Sequence, residues 1–122
     1  MKRIAVIEDN PDNRLLARAI LQEMYAVFEY DNGPEALQAF NKEKPDLVLL
    51  DVSLPEMDGP EVLRHMRAQS ALRGIPVIAL TAHAMAGDRE RYLAKGFDDY
   101  IPKPIVDEQN LISAIERLLA GK

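Results

Sequence analysis

The chain contains no cysteine and no tryptophan, and only two histidines, His65 and His83. Without thiols there is no disulfide, no thiolate metal ligand and no cysteine nucleophile. Two histidines so far apart do not make a conventional zinc site, so any metal must be held by oxygen. An excess of positive charge is also missing: 15 Lys and Arg stand against 20 Asp and Glu, a formal net charge of −5. That balance excludes the electrostatic footprint of a direct nucleic-acid binder. Long apolar runs are absent too, none approaching the roughly 18 residues of a membrane span. The apolar stretch Ile4-Ala5-Val6-Ile7 meets Glu8 and Asp9 before a signal-peptide core can form. The expectation is a cytoplasmic protein with neither a membrane nor a nucleic-acid partner.

What is present is one domain's worth of core. A chain of 122 residues has room for a single domain, and 48% hydrophobic content spread along it is enough to offset the entropy of ordering. Ile4 to Ile7, Leu47 to Leu50 and Val77 to Leu80 are short and almost continuously apolar. Such runs fit strands of a parallel sheet buried on both faces. Val27 to Tyr30 and Tyr100-Ile101 are more mixed and suit strands near the sheet edges. Between them lie stretches of helical period: Leu15, Leu16, Ala19, Ile20; Ala36, Leu37, Phe40; Val62, Leu63, Met66; a less regular one from Met85 to Lys95; and Leu111, Ile112, Ile115, Leu118, Leu119. Asn10-Pro11 and Gly33-Pro34 can open the first two helices, and Gly96 can close the fourth in a left-handed conformation. The pattern is βα repeated five times, which predicts a doubly wound α/β fold with a parallel sheet and right-handed crossovers.

In an open α/β sheet, ligands bind beyond the carboxyl ends of the strands. There the sequence places Glu8 and Asp9, then Asp51, Thr81 and Lys103. Three converging carboxylates repel, and a hard divalent cation such as Mg²⁺ relieves the conflict with oxygen ligands. Asp9 and Asp51 can ligate it directly, with Glu8 acting through water. A carboxylate beside such a cation is also a nucleophile toward phosphorus. Phosphoryl transfer needs mainly positioning and charge neutralisation, to which an ammonium and a hydroxyl donor contribute. A lysine about 4 Å from a phosphoryl oxygen is worth roughly 4 kcal/mol at an effective dielectric near 20, before desolvation. Taken alone, Glu8-Asp9 reads as a helix-capping pair, Thr81 as a cap, Lys103 as a solvated lysine and Tyr100 as core packing. With Asp51 opposite at the switch point, the functional reading becomes the better one.

Four segments, Ile7 to Asn10, Leu49 to Gly59, Ala79 to Ala82 and Asp98 to Pro104, together resemble the receiver domain of two-component response regulators. The resemblance covers essentially the whole chain, residues 1–122. It implies a CheY-like, flavodoxin-like (βα)5 fold with strand order 2-1-3-4-5. It also implies that Asp51 accepts a phosphoryl group from a phosphohistidine on a sensor histidine kinase or histidine phosphotransfer protein. Glu8, Asp9, Asp51 and the Ser53 backbone carbonyl would hold Mg²⁺. Thr81 and Lys103 would contact the phosphoryl group, and the Lys103–Pro104 bond would be cis. Tyr100 matches the aromatic switch position, while Ser53 and His83 match positions that set the lifetime of the phosphorylated state. Met24 and Tyr30 depart from the family's usual glycine and small residue. Such a domain catalyses only its own phosphorylation and dephosphorylation. Its output would be a changed affinity of the face of the fourth helix, fifth strand and fifth helix for a downstream protein. The stretch Leu80 to Glu90 resembles both stand-alone regulators and the receivers of hybrid kinases, and the start at Met1 favours a complete protein.

Three other functions compete. A phosphorylation-independent adaptor on the same fold is the runner-up. A small phosphatase working through an aspartyl phosphate would carry a second aspartate where Ser53 stands. A flavodoxin-type carrier would want glycines and hydroxyls, not acids, from Glu8 to Asn13. Asp98 and Asp99, ahead of the fifth strand, read as turn residues, and His65, beside Arg64 and Arg67, as a surface residue. Arg64, Arg67 and Arg73 are too few and too interrupted for a nucleic-acid patch.

Overall fold

Apolar residues in β1 (Arg3–Ile7), β3 (Leu47–Asp51) and β4 (Val77–Thr81) alternate between two cores, so both faces of these strands are buried. In the computed structural model, which describes residues 1–82 and 87–121, β3 and β4 are buried at every position. Ala5, Ile7, Val48, Leu50, Val77 and Ala79 point into one core, and Ile4, Val6, Leu47, Leu49, Ile78 and Leu80 into the other. Near-continuous hydrophobicity in sequence is therefore a period of two serving a layer of helices on each side. The more mixed strands β2 (Ala26–Tyr30) and β5 (Asp99–Pro102) lie at the edges. The sheet is wholly parallel, as the βα alternation predicts, and its order β2-β1-β3-β4-β5 is the one the family resemblance implies.

One face is covered by α2 (Gly33–Phe40), α3 (Gly59–Ala68) and α4 (Asp88–Ala94), through Ala36, Phe40, Val62, Leu63, Met66 and Tyr92. The other is covered by α1 (Pro11–Leu21) and α5 (Glu108–Ala120), through Ala17, Leu21, Leu111, Ala114 and Ile115. Caps begin most of these helices where the strands end. Asn10, Asn32, Asp58 and Asp107 each accept a backbone N–H from the first turn of the helix they precede. Gly96 follows α4 with φ 107°, a conformation open to glycine at no steric cost.

The less regular stretch from Met85 to Lys95 holds α4 from Asp88 to Ala94, and residues 83–86 lie outside the described ones. One expectation needs correction. Asp99 is not a turn residue: it is the first residue of β5 and buried, paired with Arg89 of α4 and Arg117 of α5. Two guanidiniums bring their charge to a carboxylate that would otherwise be stranded. Asp98 does lie before the strand, accepting the Val77 N–H at 2.8 Å and pairing with Arg67 at 3.0 Å. His65 is exposed in the last turn of α3.

Candidate phosphoryl and cation site

The strand register assembles the site. Ile7 pairs with Leu50 across β1 and β3, so the next residues, Glu8 and Asp51, stand side by side where the chain turns outward in both directions. Asp51 pairs with Leu80, which places Thr81 one step beyond it, and Thr81 pairs with Pro102, directly before Lys103. The Lys103 N–H donates to the Thr81 carbonyl at 2.7 Å, fixing the loop after β5 against the end of β4. The Lys103–Pro104 peptide bond is cis.

These side chains meet. Lys103 Nζ lies 3.0 Å from Glu8 Oε1, to which it donates a hydrogen bond, and 3.0 Å from Asp51 Oδ2. Glu8 and Asp51 are 0% and 1% exposed, so the ammonium is the countercharge for two carboxylates almost wholly removed from water. Burial alone would lower the Lys103 pKa, but the close contact and negative charge of Glu8 and Asp51 outweigh it and hold the ammonium above the ordinary lysine range. Glu8 is further anchored by the Asn10 N–H at 3.1 Å and Asn13 Nδ2 at 3.3 Å, while Arg14 donates to its carbonyl at 2.7 Å.

Asp51 is less well satisfied. Its Oδ1 accepts the Ser53 N–H at 3.0 Å, whereas Oδ2 is buried without a hydrogen bond and has the Lys103 ammonium beside it at 3.0 Å. A buried carboxylate oxygen left in that state is costly and marks a site with an unmet need. Ligand oxygens of Glu8, Asp9 and Asp51 lie within 4.8 Å of one another, Asp9 being exposed and the other two buried. An all-carboxylate donor set with an unmet oxygen fits a hard divalent cation and does not fit a soft one.

Of the remaining expected residues, Thr81, Ser53 and Tyr100 are among the described ones. Thr81 is buried at the end of β4, and Ser53 is exposed two residues past Asp51. Tyr100 is half-buried on β5, packed against the α2, α3 and α4 core. His83 lies outside the described residues. Two features escape the sequence reading. Asn13 and Arg14 look like helix residues of α1, and only the fold turns them back onto Glu8. Tyr92, from the least regular helical stretch, places its hydroxyl 3.2 Å from Thr81 Oγ1. A polar-tipped aromatic at a core position of a helix beside the site is the one signal available for it.

Comparison with known proteins agrees with this geometry. Residues 4–116 match the response regulator receiver domain family. The chain is 43% identical over 105 residues to the polar-differentiation response regulator DivK of Brucella anthropi, covering 85% of each protein. It is 42% identical over 111 residues to the sensor histidine kinase GacS of Pseudomonas protegens, covering 88% of this chain but only 12% of that much longer protein. Among solved structures, the receiver domain of a Pseudomonas aeruginosa sensor histidine kinase superposes with a TM-score of 0.87 at 36% identity, covering 98% of both chains. That structure holds a magnesium ion in its active-site cleft. A receiver domain of a Syntrophus aciditrophicus histidine kinase superposes with a TM-score of 0.88 at 38% identity, covering 99% of this chain and 92% of that one. The fold, the clustered carboxylates and these likenesses converge on one assignment: the chain belongs to the response regulator receiver domain family of two-component signalling.

Proposed function

We propose that this receiver accepts a phosphoryl group on Asp51 from a phosphohistidine of a histidine kinase or histidine phosphotransfer protein, and that the modified state binds a downstream protein with altered affinity. The observation that carries the reading is Asp51 itself. It is a 1% exposed carboxylate whose Oδ2 lacks a hydrogen bond, with an ammonium 3.0 Å away. Oδ2 is the nucleophile: its bond to phosphorus forms as the donor's N–P bond breaks, and the bonding pair returns to the imidazole nitrogen. The Ser53 N–H holds Oδ1 and so aims the carboxylate. Lys103 offsets the charge gathered on the phosphoryl oxygens, and the Thr81 hydroxyl donates to one of them. Glu8, Asp9, Asp51 and the Ser53 carbonyl would hold Mg²⁺, which supplies further neutralisation of phosphoryl charge when bound. Tyr100 would read the change at the α4, β5 and α5 face, Ser53 and His83 would set the lifetime of the phosphorylated state, and the setting would be the cytoplasm.

The donor part of this reading is tested with a histidine phosphotransfer domain labelled on its phosphohistidine. Label should pass to the wild type in the presence of Mg²⁺ while the donor loses the same amount, and Asp51→Asn should receive none. Transfer to Asp51→Asn at the wild-type level would assign the acceptor elsewhere and overturn the reading.

A further inference from the structure

In sequence Tyr92 reads as core packing of α4, yet its hydroxyl and Thr81 Oγ1 are 3.2 Å apart in a buried contact. The Tyr92 ring is fixed by its surroundings. It stands edge-on to Phe97 at 5.9 Å and tilted against Tyr100 at 6.0 Å, with the Arg91 guanidinium 5.2 Å from its centroid. Only 6% of the residue is exposed. A ring held in this way gives its hydroxyl one place to be, and that place is against Thr81.

The direction of the contact across the sheet decides what it does. β4 carries Thr81 at its carboxyl end and lies between β3, which carries Asp51, and β5, which carries Tyr100. Tyr92 reaches Thr81 from the α4 and β5 side, since its ring packs on Phe97 and Tyr100. A Thr81 hydroxyl drawn toward a phosphoryl group on Asp51 is drawn away from Tyr92. Resting on the phosphoacceptor reading above, we infer that Tyr92 is a positioning residue that holds Thr81 back from Asp51 and stabilises the unphosphorylated state. A contact made in only one of two states biases their equilibrium by its own free energy and no more. One neutral side-chain hydrogen bond therefore biases it about fivefold. Because Tyr92 and Tyr100 share a ring contact, release of Thr81 also loosens the surroundings of the residue proposed to report the change.

Tyr92→Phe removes the hydroxyl and keeps the ring. The test is calorimetric binding of beryllofluoride, a phosphoryl mimic, in Mg²⁺ to wild type, Tyr92→Phe, Thr81→Ala and the double variant, with thermal unfolding confirming that each is folded. Tyr92→Phe should bind about fivefold more tightly than wild type. The same change in the Thr81→Ala background should have no effect, because the hydroxyl acts through Thr81. In a Thr81→Ser background, which retains a hydroxyl, the tightening should return. Equal or weaker binding by Tyr92→Phe, or the same tightening without a hydroxyl at position 81, would overturn the inference and leave the phosphoacceptor reading standing. A wild type that binds no beryllofluoride in Mg²⁺ would overturn that reading, and the inference with it.

Discussion

Lys103 is the single ammonium facing two buried carboxylates, Glu8 and Asp51, among the described residues. Replacing it with methionine keeps most of the apolar stem and leaves that negative charge uncompensated. The expected loss is about 3–5 kcal/mol in urea unfolding at pH 7. A loss below about 1 kcal/mol at pH 7 would mean that the pair is solvated like a surface salt bridge. The same residue predicts an alkaline effect. Its folded pKa is raised, so its contribution is fully present below the unfolded lysine value of about 10.4 and is lost as pH rises through the folded value. Tyr25 and Tyr30, raised chiefly by burial, push stability down over an overlapping range. The difference between wild type and Lys103→Met cancels their part. That difference should decline with pH only above about 10.4, and a decline complete by pH 9 would refute the assignment to Lys103. The sequence reading reached Glu8, Asp9, Asp51, Thr81 and Lys103 because each directly follows an apolar run or matches a motif. It did not reach Tyr92 or Asn13, whose roles depend on which way a helix faces, and its reading of Asp99 failed because two arginines far along the chain stabilise a buried carboxylate.

Elements that carry the site are held by close backbone approach as much as by side chains. Gly59, the first residue of α3, packs so tightly on the end of β3 that a Cβ there would lie 2.5 Å from the Asp51 carbonyl oxygen and 2.7 Å from Val52 Cα. Both are backbone atoms, and neither can rotate away. Gly59→Ala should therefore cost about 2–3 kcal/mol in urea unfolding and displace Asp51. Gly74→Ala, which meets nothing within 4 Å, is the control and should be close to neutral. Equal stabilities for the two variants would show that α3 does not approach β3 as described. Elements were legible in the chain to the extent that their residues are of one kind. β1, β3 and β4 are buried on both faces and stand out as unbroken apolar runs. At the edges the signal fades: β5 begins with an aspartate that only tertiary ion pairs make tolerable, and α4 is seven residues with charges at four of them.

At the scale of the whole molecule, the parallel sheet brings together five residues spread from Glu8 to Lys103, and nothing but the folded state assembles them. Cation binding is therefore linked to folding. At ten times its Kd, Mg²⁺ should stabilise the wild type by about 1.4 kcal/mol, raising Tm by a few degrees, and chelation should reverse the rise. Asp9→Asn should largely abolish the effect. A Tm rise of equal size in Asp9→Asn would place the cation elsewhere. The parallel sheet was legible from βα alternation with right-handed crossovers, and the strand order from the resemblance to receiver domains. The finer electrostatics were not, since burial and partner geometry are properties of the assembled sheet. The central claim, that Asp51 takes up phosphorus with help from a divalent cation, is tested most directly by intact mass after incubation with acetyl phosphate. Wild type should gain one phosphoryl group in Mg²⁺ and none in chelator, and Asp51→Asn should gain none in either. No adduct on the wild type, in a protein whose Tm responds to Mg²⁺, would contradict the account and assign the domain to binding its partners unmodified.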